Sequence, residues 1–295
     1  MIEVDRCIVC EGPLRSERLG IVAPFLAQRI WQRKPFSVRL AECSDCGFVF
    51  FNPRLEASEE VRLYSGYRGV EYQKTRHSFE PWYTEAFNAS LSNKEAWANR
   101  KQCLASVFRD QLNIGSRTFG NILDFGGDHG DLIADLVAAT RRFVYEISGV
   151  GTVSGVEPLR SLGECREHSF DLIVSSNVLE HVGSPHEVIG QIASLSGPET
   201  LVFNEVPYES ATGFHSTLKR IAQTALLAGT RPAVARSMLG PGMFNVMHEH
   251  VNYFSPSSIN RLMERSGFKV VASGTYTLKG GLLGERVVWN LSKRA

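Results

Sequence analysis

This 295-residue sequence predicts an α/β fold: an open, mostly parallel sheet ending in an antiparallel hairpin, preceded by a small N-terminal zinc-binding module. Three observations carry that reading. Two CxxC knuckles, Cys7 to Cys10 and Cys43 to Cys46, stand near the start of the chain. From residue 116 onward, short β-type runs near 121–124, 142–146, 153–156, 170–175 and 200–205 alternate with turns or helical patterns, as in a parallel sheet covered on both faces. Two further strand-like runs, 268–276 and 285–293, are joined by a glycine-rich turn and should pair as a hairpin.

The four cysteines suit one tetrahedral zinc. Each i,i+3 turn aims two sulfurs at one point, and the 32-residue spacer closes the loop. Four thiolates leave no position for water, so the expected metal is structural and does no chemistry. Cys103 and Cys165 are left over and read as small buried residues in a reducing compartment.

Residues 1–55 are expected to form the zinc module and 56–115 a helical connecting segment that also carries substrate contacts. The sheet domain should span 116–295, with an insertion at 208–246. SEEVRLYSGY opens the helical segment with a serine cap and first-turn glutamates, and EPWYTEAFNASLSNKEAWANRKQCLASVFRDQL continues it with apolar residues at helical spacing until 113–116 break the pattern. This segment concentrates Tyr64, Tyr67, Tyr72, Trp82, Tyr83 and Trp97, which form either a core stripe or the lining of a polar pocket. The insertion holds helix-like STLKRIAQTALLAG and then LGPGMF, and a long segment of this kind serves as a lid or substrate element or as a peripheral elaboration.

Composition narrows the function. The chain is 43% hydrophobic and 21% charged, with net charge +1 and no long basic run, so a nucleic-acid partner is not expected. The start MIEVDRC lacks a signal-peptide pattern and no segment approaches a membrane span, which predicts a cytoplasmic protein.

NILDFGGDHGDLIADL, from Asn121, reads as a strand ending in an acidic residue, a glycine turn and a helix, the shape of an adenosine-binding first βα unit. Taken together, CGFVFFNPR, the turn at 126–130, SFDLIVSSNVLEHV at 169–182 and HEHVNYFSPSSINRLMERSGF at 248–268 resemble the zinc-bearing, S-adenosylmethionine-dependent sugar C-methyltransferases. The resemblance covers most of the chain, in order. It implies a class I, Rossmann-like methyltransferase sheet, S-adenosylmethionine as cofactor beside structural Zn2+, and a sugar or sugar-nucleotide acceptor methylated on carbon or oxygen. DFGGDHG matches the family's E/D-x-G-x-N/D-x-G turn, although Asp128 stands where the general class I turn has a glycine.

On that resemblance, Asp124, Gly126, Gly127, Asp128 and Gly130 cradle the donor, with a helix N-terminus following the turn. The ribose carboxylate should end the second strand some 20 residues on, which favours Glu146, 22 residues after Asp124. Glu157 should then end the third strand near the adenine, with Leu159 against the ring, and Asn177 and Val178 should line the pocket after the fourth strand. Glu180 and His181 form a pair that serves either to anchor the loop or to face substrate.

Ser255 or Ser257 caps the helix that carries Ile259, Leu262 and Met263, placing HEHVNYF on the approach to it. There Glu249 and His250 match the family's acid/base pair: His250 is the candidate base and Glu249 orients it. Met247 replaces a family tyrosine, and the family's second α/β lobe has no counterpart in this sequence. Acceptor recognition is therefore expected on the helical segment, on the insertion or on a partner subunit, and an oligomer is compatible with this. The competing reading is an inactive zinc-ribbon binding protein with a methyltransferase-like domain.

Overall fold

The computed structural model describes residues 1–91, 94–112, 118–210, 214–279 and 284–295, without the side chains of 94–96, 112, 214–217 and 219. The break expected at 113–116 and the turn at 280–283 lie outside the described residues. In chain order the elements are β1 (Leu14–Val22), α1 (Pro24–Trp31), β2 (Ser37–Cys43), β3 (Val49–Asn52), α2 (Ala57–Tyr64), α3 (Val70–Phe79), α4 (Glu85–Ser90), α5 (Lys94–Leu112), β4 (Phe119–Phe125), β5 (Ala139–Tyr145) and β6 (Glu157–Leu159). They continue with α6 (Leu162–Arg166), β7 (Leu172–Ser176), α7 (Pro185–Leu195), β8 (Leu201–Pro207), α8 (Phe214–Thr230), α9 (Pro232–Ser237), β9 (Val246–Met247), β10 (Asn252–Tyr253), α10 (Pro256–Arg265), β11 (Phe268–Leu278) and β12 (Glu285–Arg294). Among the described residues, no helix is long and apolar enough to cross a membrane.

Two compact units result, with boundaries other than the linear ones expected at 55 and 115. The first comprises Met1–Ser92, Glu180–Ser184 and Glu209–Tyr253, and the second Asn93–Leu179, Pro185–Tyr208 and Phe254–Ala295. The first is built on a five-stranded sheet in the order β10-β3-β2-β1-β9, so the strands that flank the knuckles pair with strands from the far end of the chain. Its core gathers Phe25, Leu26, Leu40, Phe51, Leu63, Tyr72 and Tyr83 with Leu227 and Val251, which is why residues of the 208–246 insertion fold with this unit. Buried Arg54 ties the short Glu180–Ser184 segment in place. It donates to the Gly183 carbonyl (2.9 Å), the Val182 carbonyl (3.0 Å) and the Phe51 carbonyl (2.7 Å).

The second unit is the expected mixed sheet, in the order β11-β12-β8-β7-β4-β5-β6, with β8 to β6 parallel and the terminal hairpin antiparallel. This is the sheet the sequence predicts, five parallel strands with the antiparallel hairpin at one edge. Its central strands are buried, with Ile122, Leu123, Leu172, Ile173, Val174, Val202 and Phe203 all inaccessible to water, as a sheet covered on both faces requires. Ser255 caps α10 with a reciprocal Ser258 box, and Ile259, Leu262 and Met263 form its buried face, as the sequence predicts.

Two local expectations fail. Residues 131–137, after the glycine turn, form turns and bends in place of a helix. Leu132, Ile133 and Leu136 still reach the core, while the Arg142 guanidinium satisfies the carbonyls of Ile133 (3.1 Å), Val137 (3.0 Å) and Ala139 (3.2 Å). The third strand starts at Glu157 where 153–156 was expected, because Thr152 to Val156 form a turn held by the Thr152 hydroxyl on the Val156 carbonyl (2.9 Å).

Candidate functional site

In the second unit, β4 delivers Asp124 to its carboxyl end, and the chain then turns through Gly126 (φ 75°), Asp128 (φ 51°) and Gly130 (φ 78°). The glycines are sterically required: a Cβ on Gly126 would lie 2.6 Å from the Val178 side chain, and one on Gly127 would lie 2.1 Å from the Asp124 carboxyl carbon. Asp128 tolerates the left-handed conformation, as aspartate does more readily than most residues. The turn thus folds over the Asp124 carboxylate, which is buried and has no hydrogen-bond partner among the described residues on either oxygen. Burial, reinforced by the charges of Glu146, Glu205 and Asp128, pushes its pKa up to about 8. A cationic ligand is what such a group lacks.

Glu146 follows the last residue of β5 and accepts from the backbone N–H of Ser148 (2.8 Å) and of Asp128 (3.3 Å). One carboxylate is therefore oriented by two loops and remains half-exposed. Asp124, Gly126, Gly127, Asp128, Gly130, Glu146 and Val178 are brought together at the carboxyl edge of the sheet, where open α/β sheets bind ligands.

Glu157 is not among them, contrary to expectation. It opens β6 opposite Phe143 and forms a two-pronged, exposed ion pair with Arg141 (2.7 and 3.0 Å). Its strand starts four residues later than the sequence pattern suggested, which moves Glu157 from one end of the strand to the other. Leu159 instead takes the carboxyl end, opposite Tyr145.

Asn177 follows β7 with φ 56°, and its side-chain oxygen accepts from Arg100 (3.2 Å). Arg100, on α5, also bonds Glu205 (2.7 Å) and Ser176 (3.4 Å), and the Tyr276 hydroxyl donates to the other Glu205 oxygen. This buried network braces the loop that carries Asn177 and Val178. Sequence reasoning missed it, because Arg100 and Glu205 belong to no local pattern and meet only across the sheet.

In the first unit, Glu249 does not orient His250. Its carboxylate pairs with Arg76 (2.6 Å) and accepts from the Tyr72 hydroxyl. Burial works against ionisation there, yet Arg76 and Tyr72 prevail and its pKa is lowered. His248 lies 3.4 Å from Glu80, which also binds Arg76 (2.8 Å).

The partner of His250 is Glu209, 2.8 Å from Nδ1. Burial favours the neutral ring, but this contact overrides it and raises the His250 pKa to about 9. His181 Nδ1 faces the Glu249 backbone carbonyl (3.1 Å), and the two imidazoles meet edge to face with centroids 4.8 Å apart. Burial and then the charge of His250 lower the His181 pKa to about 3. The Tyr64 ring packs on His181, and the buried hydroxyl of Tyr64 has no hydrogen-bond partner among the described residues. Glu209 lies in the insertion with no local signal, so only the fold could identify it.

The four knuckle cysteines converge, their sulfurs all lying within 4.8 Å of one another. Cys7 and Cys46 are 3.7 Å apart and Cys10 and Cys43 3.4 Å, against an edge of about 3.8 Å for a tetrahedron of 2.3 Å zinc–sulfur bonds. The backbone N–H groups of Val9, Gly12 and Asp45 each point at a sulfur (3.4 Å), the arrangement that stabilises bound thiolates. The donor set and its second shell fit zinc.

A family model described as a methyltransferase domain matches residues 96–273, more than half of the chain. No curated protein sequence matches the chain significantly. Among solved structures, the chain is similar to magnesium protoporphyrin IX methyltransferase of Synechocystis PCC 6803 (16% identity, 67% of this chain and 84% of that one, TM-score 0.41). It is also similar to the Burkholderia thailandensis 1,6-didemethyltoxoflavin-N1-methyltransferase (12%, 88% and 96%, TM-score 0.49). A third similar structure is the mitomycin 7-O-methyltransferase (18%, 81% of this chain), of which the chain spans 64% (TM-score 0.47).

Proposed function

The chain belongs to the methyltransferase-domain family, which makes it an S-adenosylmethionine-dependent methyltransferase, and we propose that its acceptor is a polyhydroxylated small molecule of the sugar or sugar-nucleotide class. The observation that supports a hydroxyl-rich acceptor is the polar aromatic cluster around His181: the buried Tyr64 hydroxyl and Arg68 Nε have no hydrogen-bond partners among the described residues, and Tyr67 lies beside them. A hydroxylated ligand would supply the missing partners, and each buried group left unpaired costs about 1–3 kcal/mol.

For the donor, Glu146 takes the ribose hydroxyls, the glycine turn admits the ligand, and Asp124 offsets its positive charge. Bound S-adenosylmethionine supplies an electrophilic methyl on sulfur. The acceptor gives up a proton, its oxygen or carbon bonds the methyl, the C–S bond breaks with its electron pair going to sulfur, and S-adenosylhomocysteine leaves. His250 Nε2 is assigned to take that proton, since Glu209 already engages Nδ1; with the ring's pKa raised to about 9 only its neutral fraction can do so, and turnover should rise with pH towards that value.

Calorimetry with S-adenosylhomocysteine tests the donor half. Glu146→Ala should weaken binding by about 10–100-fold, since two hydrogen bonds to a charged group contribute about 1.5–3 kcal/mol. Glu157→Ala, which loses only an exposed pair with Arg141, should bind as wild type. An effect of Glu157→Ala equal to that of Glu146→Ala would overturn the assignment. Transfer of label from the donor to a nucleotide-sugar pool tests the acceptor half, and label found only in non-carbohydrate products would reject it.

We also assign zinc to Cys7, Cys10, Cys43 and Cys46. Cys43→Ser should release this ion and lower the melting temperature of the first unit while S-adenosylhomocysteine still binds. Wild-type protein purified without chelator that carried no zinc would reject the assignment.

A further inference from the structure

We propose that Glu180, His181 and His250 form a second metal site, for a divalent transition ion bound by imidazole and carboxylate. One carboxylate oxygen and one ring nitrogen from each histidine lie within 4.8 Å of one another, all inside the first unit. Ions of this class hold such donors at about 2.0–2.2 Å, so the closing movement needed is a fraction of an ångström on each side. The cluster is distinct from the four cysteines in position and in chemistry, and no sequence spacing marked it. Glu180 and His181 are adjacent in the chain, whereas His250 arrives 69 residues after His181.

The outer hydrogen bonds make this a ligand set rather than a chance cluster. The Nδ1 of His181 faces the backbone carbonyl of Glu249, which can only accept, so Nδ1 carries the proton there. The Nδ1 of His250 faces the Glu209 carboxylate at 2.8 Å and carries a proton for the same reason. Each ring is thereby held with Nε2 as its remaining ligand atom, and His181 Nε2 lies 3.7 Å from Glu180 Oε1. A histidine that binds metal through one nitrogen and donates from the other to a carbonyl or carboxylate is the usual second-shell arrangement. Glu180 is itself 2% exposed, and an adjacent dication favours the charged form of so deeply buried a carboxylate. The edge of the pair stays reachable, with the His250 side chain 31% and the His181 side chain 17% exposed.

Two histidines and one carboxylate leave coordination positions open. An acceptor oxygen that entered one of them would lose its proton more readily, as water does on zinc, and with Nε2 on the ion His250 would act on the acceptor through the metal in place of taking its proton directly. That consequence rests on the acceptor reading above, whereas binding of the ion does not.

The test is a Co2+ titration of protein whose cysteine site is loaded with zinc, followed in the visible range. One further equivalent of Co2+ per chain should bind with weak ligand-field bands, and without the intense near-ultraviolet charge transfer that thiolate ligands produce. Glu180→Gln, His181→Gln and His250→Asn should each weaken this binding at least tenfold, and three separate variants keep the test decisive should one fail to fold. Wild-type protein that takes up no Co2+ beyond its zinc, or folded variants that bind it undiminished, would overturn the site. S-adenosylhomocysteine binding is measured on the same samples. Its loss with Co2+ uptake intact would reject the methyl-donor assignment and spare the metal site.

Discussion

Asp124→Asn should stabilise the ligand-free protein, and the gain should grow with pH. In the folded chain burial pushes the Asp124 pKa up to about 8, against about 3.9 for an unfolded aspartate. Below pH 4 both states are protonated and the carboxyl costs nothing. Between pH 4 and 8 the unfolded chain ionises while the folded chain keeps its proton, so the folded state binds more protons and stability falls as pH rises, levelling off above pH 8. Asparagine has nearly the same shape and no charge. Its advantage should be near zero at pH 4 and on the order of 2–4 kcal/mol by pH 7.5. Denaturant unfolding of both proteins at pH 5, 7 and 8.5 measures it, and a difference independent of pH would show that Asp124 is not the titrating group. The same substitution should weaken donor binding, because a cationic ligand is what the buried carboxylate is suited to neutralise.

His250→Asn should lower turnover by roughly 10²–10⁴-fold, the range usually contributed by a positioned proton-transfer group. The asparagine amide can occupy the place of Nδ1 and keep the hydrogen bond to Glu209, but it has nothing at the position of Nε2. The fold and the affinity for S-adenosylhomocysteine should therefore survive, since Asp124, the glycine turn and Glu146, to which we assign the donor, belong to the other unit. Labelled-donor assays and calorimetry on one preparation separate the two effects. Transfer as fast as wild type would move the acceptor-side role away from His250, with Tyr64 as the next group to examine.

The glycine-turn region of the second unit and the histidine cluster of the first differed in how far they were legible. The glycine turn and the strand-end positions of Asp124, Glu146, Asn177 and Val178 were readable because each lies within a few residues of a strand end, and the strands were marked by buried β-branched and aromatic runs. Even there, a short error mattered: the third strand was expected to end where it begins, and Glu157 was assigned to the wrong edge. In place of the helix expected after the turn stand turns and bends whose Ile133 and Val137 carbonyls are taken by Arg142, a residue of the next strand.

Acceptor-side chemistry was legible only in its residue types. HEHVNYF announced reactive groups, and adjacency suggested that Glu249 serves His250. In a chain that folds back on itself, neighbours in sequence point to opposite sides: Glu249 turns to Arg76 and Tyr72, and His250 turns to Glu209.

By itself the sequence determined the α/β class, the four converging cysteines, the hairpin and the glycine turn. Each of these is set by backbone sterics, by ligand spacing or by periodic burial within one stretch of chain. Tertiary structure alone decided that residues of the insertion fold with the N-terminal sheet, that Arg100 braces the Asn177 loop, and that Glu180, His181 and His250 share one point. Those outcomes depend on contacts between segments up to 226 residues apart, where packing and the pairing of buried charge choose the partners and no local pattern records the choice.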